Sequence, residues 1–294
     1  MLSKASSSGE RRTDFPGQPP PTFRIAVCQF KIGTSKQQNL NRARDFIHRA
    51  AGTGAKVIAL PEMFTCPYDA SLFPDYAESF PNGDSIRMLA RAAMEERVFV
   101  VGGSLPEREG EQVFNSSFVF DPQGNLIAHH RKIHLFDVDL PGGFSFRESA
   151  TLSAGKKATV VNTLLGTIGV AICFDIRFPD LFREMALHGA QVIIVPAAFN
   201  MVTGPAHWEL LLRARAVDNQ VYMVGAAPAR EPGAGYVAFG HSMIINPWAT
   251  VIARAGAEEE IITAEIDLAH LGRIRQQLPL LNRSRVDLTC SALS

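Results

Sequence analysis

The sequence predicts an α/β fold in which two related halves pack as a duplicated, four-layer α-β-β-α sandwich. Three observations carry this prediction. Short β-rich runs alternate with helical patterns from about residue 23 onward. The order of those elements recurs once along the chain, with local echoes of sequence. No linker divides the halves, so two apolar sheet faces have to be buried against each other with helices outside.

The elements follow in order. Residues 1–21 are rich in Ser, Gly and Pro and end in Pro19-Pro20-Pro21. Such a stretch cannot bury enough apolar surface to order itself and is expected to be a disordered leader. The folded domain is expected over residues 22–288, with 289–294 as a tail. Ile25 to Phe30 is a buried strand. Leu40, Ala43, Ile47, Ala50 and Ala51 fall at helical spacing, and Gly52 and Gly54 end that helix. Val57 to Leu60 is a second buried strand. Asp84 is a candidate N-cap for a helix whose inner face carries Ile86, Leu89, Ala90, Ala93 and Met94. Val98 to Val101 is a third strand, and Phe118 to Ile127 folds as a hairpin around Asp121-Pro122-Gln123-Gly124.

The second half repeats this order. Ile168 to Ile172 is its first strand, Pro179 opens a helix that Gly189 closes, and Val192 to Val195 follows. Trp208, Leu211, Leu212 and Ala216 make a helical stripe, then come Val221 to Val224 and a hairpin through Asn246-Pro247. Ala55-Lys56-Val57-Ile58-Ala59-Leu60-Pro61 echoes Ala190-Gln191-Val192-Ile193-Ile194-Val195-Pro196. Arg97 to Gly102 echoes Gln220 to Gly225.

Composition excludes several classes of function. There are 29 basic and 29 acidic residues among 294, so no net charge favours nucleic acid or an anionic membrane surface. No apolar run reaches the roughly 18–20 residues of a membrane helix, and the N-terminus has no secretory h-region. Cytoplasmic localisation is expected. Lys4, Arg11 and Arg12 among serines leave a mitochondrial presequence as the alternative. Cys28, Cys66, Cys173 and Cys290 show no C-x-x-C spacing and read as reduced thiols. His129, His130 and His134 lack the companions of a metal site, so no metal or other cofactor is expected. His207-Trp208-Glu209 suggests a capping or packing role, including one at a subunit contact.

Two strand ends aim reactive residues at a common side. The run Gly166 to Ile172 leads into Cys173-Phe174-Asp175, and Val57 to Pro61 leads into Glu62. A thiol after a strand and before a turn suits a nucleophile, with the Phe174 N–H as an oxyanion donor. A carboxylate can take its proton, and a lysine can lower its pKa and stabilise an oxyanion.

Leu60-Pro61-Glu62, His130-Arg131-Lys132-Ile133-His134-Leu135 and Ile172-Cys173-Phe174-Asp175-Ile176-Arg177-Phe178-Pro179 together resemble the nitrilase superfamily of carbon-nitrogen hydrolases. The resemblance covers about Phe23 to Leu288. It implies the duplicated sandwich and a Glu62-Lys132-Cys173 triad that forms a thioester. It also implies a supporting Glu148 in Phe146-Arg147-Glu148-Ser149, and assembly at least as a homodimer. Position 174 departs from the pattern, which usually has Tyr. Phe199 to Leu210 and Arg215 to Tyr222 resemble the omega-amidase branch, with deaminated-glutathione amidase as the alternative. A non-catalytic scaffold on the same fold is a third reading. An omega-amidase acts on small anionic amides, 2-oxoglutaramate and 2-oxosuccinamate. Arg177 is then a candidate for the distal carboxylate.

Overall fold

The structure, a computed structural model, describes residues 22–140 and 143–283. The expected leader over 1–21, the tail from 289 and Cys290 lie outside them. The first half comprises β1 (Thr22–Gln29), α1 (Lys36–Gly52), β2 (Val57–Ala59), α2 (Phe73–Tyr76), α3 (Asp84–Glu96), β3 (Phe99–Val101), β4 (Leu105–Glu109), β5 (Gln112–Phe120) and β6 (Leu126–Arg131). A separate hairpin, β7 (Asp137–Leu140) and β8 (Phe144–Arg147), joins it to the second half. That half comprises β9 (Thr159–Thr163), β10 (Gly166–Val170), α4 (Pro179–Leu187), β11 (Val192–Pro196), α5 (Thr203–Asn219), β12 (Tyr222–Ala226), β13 (Met243–Ile245) and β14 (Val251–Arg254). Then β15 (Glu260–Asp267) and α6 (Leu268–Gln277) follow.

The two sheets repeat one design. In the first, β1, β2 and β3 are parallel, flanked by antiparallel β15 and β5. In the second, β10, β11 and β12 are parallel, flanked by antiparallel β9 and β13. The first sheet also carries β4 and β6 on β5, and the second carries β14 on β13. Helical crossovers join the parallel strands, as short connections cannot.

Strand periodicity produces the four layers. In β1, Ile25 and Val27 face Val170, Ile194 and Val224 of the other sheet in one apolar core. Ala26 and Cys28 point the opposite way, onto Ala43, Phe46 and Ile47 of α1 and Leu89 of α3. The outer face of the second sheet packs on Phe182 of α4 and Trp208 and Leu212 of α5. Each of these fully buried large side chains contributes roughly 1.5–3 kcal/mol.

The duplication reaches down to the caps. Arg97 and Gln220, matched by the sequence echo, both end a crossover helix in the left-handed conformation, at φ 54° and 49°. Two details differ from the sequence reading. Gly83, not Asp84, is the N-cap of α3, and the helix start is capped from outside. There the Glu78 carboxylate accepts from the Ser85 N–H at 3.0 Å and the Ser85 hydroxyl at 2.8 Å. The buried stripe of α3 runs through Ile86, Leu89, Ala92 and Ala93, while Met94 is exposed.

Candidate active site

Glu62 lies just beyond the end of β2, in a loop braced by the segment after β3. The Ser104 hydroxyl accepts from the Met63 N–H at 3.0 Å, and the Phe64 N–H donates to the Ser104 carbonyl at 3.0 Å. Gly103, at φ 55°, lets this segment approach. A Cβ there would sit 2.1 Å from the Pro61 carbonyl oxygen. Lys132 follows β6 and is held through its backbone by Asn115 and Gly155, each bond 2.8 Å. Gly155 also has no room for a side chain, because its Cβ would meet the Arg131 carbonyl oxygen at 2.1 Å.

These side chains converge in a buried cluster. Lys132 Nζ donates to Glu62 Oε1 at 3.0 Å and to Glu148 Oε1 at 2.9 Å, and all three side chains are sealed from solvent. Glu62 Oε1 also accepts from Asn115 Nδ2 at 2.9 Å, and Oε2 accepts from the Ala198 N–H at 2.8 Å. Glu148 Oε2 takes the Phe136 N–H at 2.7 Å. The Tyr68 hydroxyl donates to Glu148 Oε1 at 2.8 Å and lies 3.3 Å from Glu62 Oε1. An ammonium has three N–H donors, and the third on Lys132 makes only a long contact of 3.5 Å to the Tyr68 hydroxyl, which a substrate oxygen could replace.

Cys173 faces this cluster from the end of the second sheet. It opens the turn Cys173–Arg177 at φ 44°, a strained conformation for a residue with a Cβ. The Glu62 carboxylate, the Lys132 ammonium and the Ala198 N–H all bear on its thiol. Burial and the Glu62 charge push the thiol pKa well up, against the pull of Lys132. Burial also raises Glu62, opposed by Lys132 and assisted by Glu148. Burial works against the charged form of Lys132, but the Glu148 and Glu62 carboxylates prevail and raise its pKa. The resting site therefore holds a protonated thiol beside a carboxylate of raised proton affinity. That pair suits proton transfer at the moment of attack.

One buried carboxylate ties the thiol turn to the lysine segment. Asp175 Oδ2 accepts from the Ile172 N–H at 3.0 Å and lies 3.3 Å from His130 Nε2. Its Oδ1 takes the His134 N–H at 2.9 Å and lies 2.8 Å from His134 Nδ1. Burial opposes its ionisation, yet the two histidines outweigh that and hold the carboxyl well below the usual range. The histidine run is thus divided: His130 and His134 share Asp175, and His129 faces Glu107 at 2.9 Å.

Of the cluster, Glu62 and Tyr68 reach a cleft of about 460 Å3, within the usual range for small-molecule sites, while Lys132, Glu148 and Cys173 lie behind its wall. Glu62, Tyr68, Phe144, Phe146, Ala198 and Tyr236 line it. The Tyr68 and Tyr236 rings lie 4.6 Å apart, and the Tyr236 hydroxyl donates to the Ala198 carbonyl. Cys66 is on the cleft wall, whereas Cys28 is sealed in the core with its thiol 3.6 Å from the Phe46 carbonyl. Arg177 is not on that wall. It lies half-buried with Phe174 and Phe199 rings 5.6 and 5.1 Å from its guanidinium, and its charge is felt at Cys173. Phe174 packs on Phe136 and Phe178.

Sequence reasoning passed over Tyr68, Asn115, Ala198 and Asp175. Asp175 stands in the motif around Cys173 and was legible there as a buried acid. Asn115 and Ala198 carry no local signal, because only the fold brings them to Glu62.

Residues 24–276 match the sequence model of the carbon-nitrogen hydrolase family. The chain belongs to that family. The omega-amidase NIT2 of Danio rerio is 50% identical over 266 residues, covering 90% of this chain and 96% of that protein. Among solved structures, Saccharomyces cerevisiae Nit3, a member of branch 10 of the nitrilase superfamily, is 40% identical. It has a TM-score of 0.82 and covers 88% of this chain and 95% of its own. An amidase from Nesterenkonia sp. AN1 is 26% identical, with a TM-score of 0.72 over 87% of this chain and 95% of that one. A variant of that amidase carries a covalent adduct of fluoroacetamide at its active-site cysteine. This carbon-nitrogen hydrolase is thus an amidohydrolase on a nitrilase-type sandwich.

Proposed function

We propose that the protein is an omega-amidase, releasing ammonia from the terminal amide of 2-oxoglutaramate and 2-oxosuccinamate through a Cys173 thioester. The observation that carries the chemistry is the buried Glu62-Lys132-Glu148 cluster beside the Cys173 thiol. The likeness to omega-amidase NIT2 over nine-tenths of the chain supports the substrate class.

Glu62 accepts the thiol proton as the sulfur attacks the amide carbon. Lys132 and the Phe174 N–H stabilise the tetrahedral oxyanion, a donor of this kind contributing about 3–4 kcal/mol. Glu62 passes its proton to the amide nitrogen, and ammonia leaves. A water then gives Glu62 a proton and attacks the thioester, which frees the acid and restores the thiol. Glu148 and Tyr68 hold Lys132 and Glu62 in place throughout. Arg177 takes the distal carboxylate of the substrate, a role supported by the reach of its charge to Cys173 and Tyr236 from behind the cleft wall.

Two further readings belong with this one. Leu210, Val217, Trp248 and Ile252 are exposed around α5 and the β13–β14 hairpin, which supports a homodimer built on this face. Free thiols at Cys28, Cys66 and Cys173 support a reducing, cytoplasmic setting. Among the described residues no helix is long and apolar enough to cross a membrane.

The decisive experiment measures ammonia release from 2-oxoglutaramate and from deaminated glutathione, with Cys173→Ala as control. The expected result is turnover of 2-oxoglutaramate at the higher kcat/KM, lost in the variant. Preference for deaminated glutathione would move the protein to the neighbouring branch, and undiminished turnover by Cys173→Ala would end the thioester mechanism.

A further inference from the structure

Arg177 is an unusual arginine. Among the described residues it forms no ion pair with a carboxylate, and its side chain makes one hydrogen bond, from Nη1 to His207 Nδ1 at 3.3 Å. Two aromatic faces, Phe174 and Phe199, confine the guanidinium. Its backbone is fixed as well: Arg215 donates to the Ile176 carbonyl at 3.0 Å and to the Arg177 carbonyl at 3.5 Å. Aromatic stacking limits a guanidinium to a plane but leaves it free to turn within that plane. A directional contact is needed to decide which N–H edge points toward the reacting centre.

We propose that His207 is a positioning residue that orients Arg177 toward the distal carboxylate of the substrate. The inference rests on the carboxylate-binding role of Arg177 given above and adds what aims it. A guanidinium only donates, so His207 Nδ1 is the acceptor and the ring proton sits on Nε2. One guanidinium edge is thereby occupied, and the remaining N–H groups stay available for a carboxylate, which Arg binds in two-pronged fashion. His207 is itself on rigid ground. It precedes Trp208, whose ring is buried and whose Nε1 donates to the His241 carbonyl at 2.8 Å. The first turn of α5 packs so closely that a Cβ on Gly204 would lie 2.4 Å from Phe239. Of the capping or packing role expected for His207 from sequence, the cap falls to Val202, and the packing includes the contact with Arg177.

The test compares 2-oxoglutaramate with butyramide, a neutral amide without the distal carboxylate. His207→Phe keeps a flat ring but removes the acceptor, and His207→Asn returns an acceptor near the place of Nδ1. The ratio of kcat/KM for 2-oxoglutaramate to that for butyramide should fall about five- to tenfold in His207→Phe, mostly through KM, and recover in His207→Asn. Arg177→Gln is measured alongside. If Arg177→Gln leaves the ratio intact, the carboxylate-binding reading of Arg177 fails. If Arg177→Gln lowers the ratio but His207→Phe does not, only the role of His207 is overturned. An equal loss on both substrates in His207→Phe, not rescued by Asn, also overturns it as a general packing effect.

Discussion

Cys28 and Cys173 occupy matching places in the two halves, each following the apolar run of its half's first strand, yet their surroundings are opposite. In the first half β1 continues through Cys28, because β15 pairs beside it as far as Cys28↔Ile261 and Gln29↔Glu260. In the second half the pairing with β9 stops at Val170↔Thr159. The chain then leaves the sheet, and Cys173 sits at φ 44° in a tight turn. A thiol inside a ladder packs as core, whereas a thiol released from the ladder can face across to the other half. The strand after it shows the same division of labour. Pro61 leads to Glu62, and the matching Pro196 leads to Ala197, followed by Ala198, whose N–H donates to Glu62 Oε2. One half supplies the carboxylate and the other the thiol and a backbone donor.

This contrast can be broken most directly at the two cysteines. Cys173→Ala should lower kcat by at least about 10⁴-fold in an ammonia-release assay. Cys28→Ala should keep wild-type kcat and lose about 1 kcal/mol of stability in a urea titration. Comparable activity losses in both variants would erase the distinction between the halves.

Lys132 is the next largest expected effect. Lys132→Ala removes the cation between two buried carboxylates. The kcat should fall about 10²- to 10³-fold. Stability should fall by about 3–5 kcal/mol by chemical denaturation, as for a broken buried ion pair. A variant as stable as wild type would contradict the buried charge cluster.

Asp175→Asn sharpens the question of what holds the thiol turn. An amide nitrogen would face the Ile172 N–H or the His134 N–H, so a donor meets a donor. A turn displaced by about an ångström should cost about 10- to 100-fold in kcat. Iodoacetamide should also label Cys173 at an altered rate. Wild-type values in both assays would remove Asp175 from the site's support.

The smallest effect on catalysis is expected at Glu107, a buried acid of β4, the strand for which the second half has no counterpart. Burial tends to raise its pKa, but His129, Arg131 and Ser116 outweigh that and hold it near 2. Because the folded pKa is depressed, the stabilisation is complete above the unfolded value near 4.3 and is lost as pH falls through about 2. Glu107→Gln should keep kcat/KM within about twofold and lose about 2 kcal/mol at pH 7, after allowance for screening at the partly exposed Arg131. The gap from wild type in urea midpoints should close between about pH 4 and pH 2. A gap that persists at pH 2 would mean that the Glu107 charge is not its source.

Much of the fold was legible because its signals are local. The parallel strands are continuous apolar runs, and their crossover helices carry apolar residues at helical spacing, so β1 to β3 and β10 to β12 are visible one at a time. By contrast, β4, β7, β8, β9 and β15 are short or only partly buried, and their character comes from the strand beside them. Glu260–Asp267 is a strand because β1 offers it an unpaired edge from the opposite end of the chain. Glu62, Lys132, Cys173 and Glu148 could be singled out through their motifs. Asn115, the Ala198 N–H and the His207 contact with Arg177 are products of proximity alone.

The sequence by itself determined the alternation of strands and helices, the duplication, and which acid, amine and thiol have chemistry to do, since these rest on periodicity and residue type. Only the tertiary structure decided which of two equivalent cysteines leaves its ladder, that one ammonium is shared between two carboxylates, and that one arginine is left with a histidine for a partner. Those outcomes depend on where pairing stops and on what burial brings within three ångströms, and neither is written in neighbouring residues.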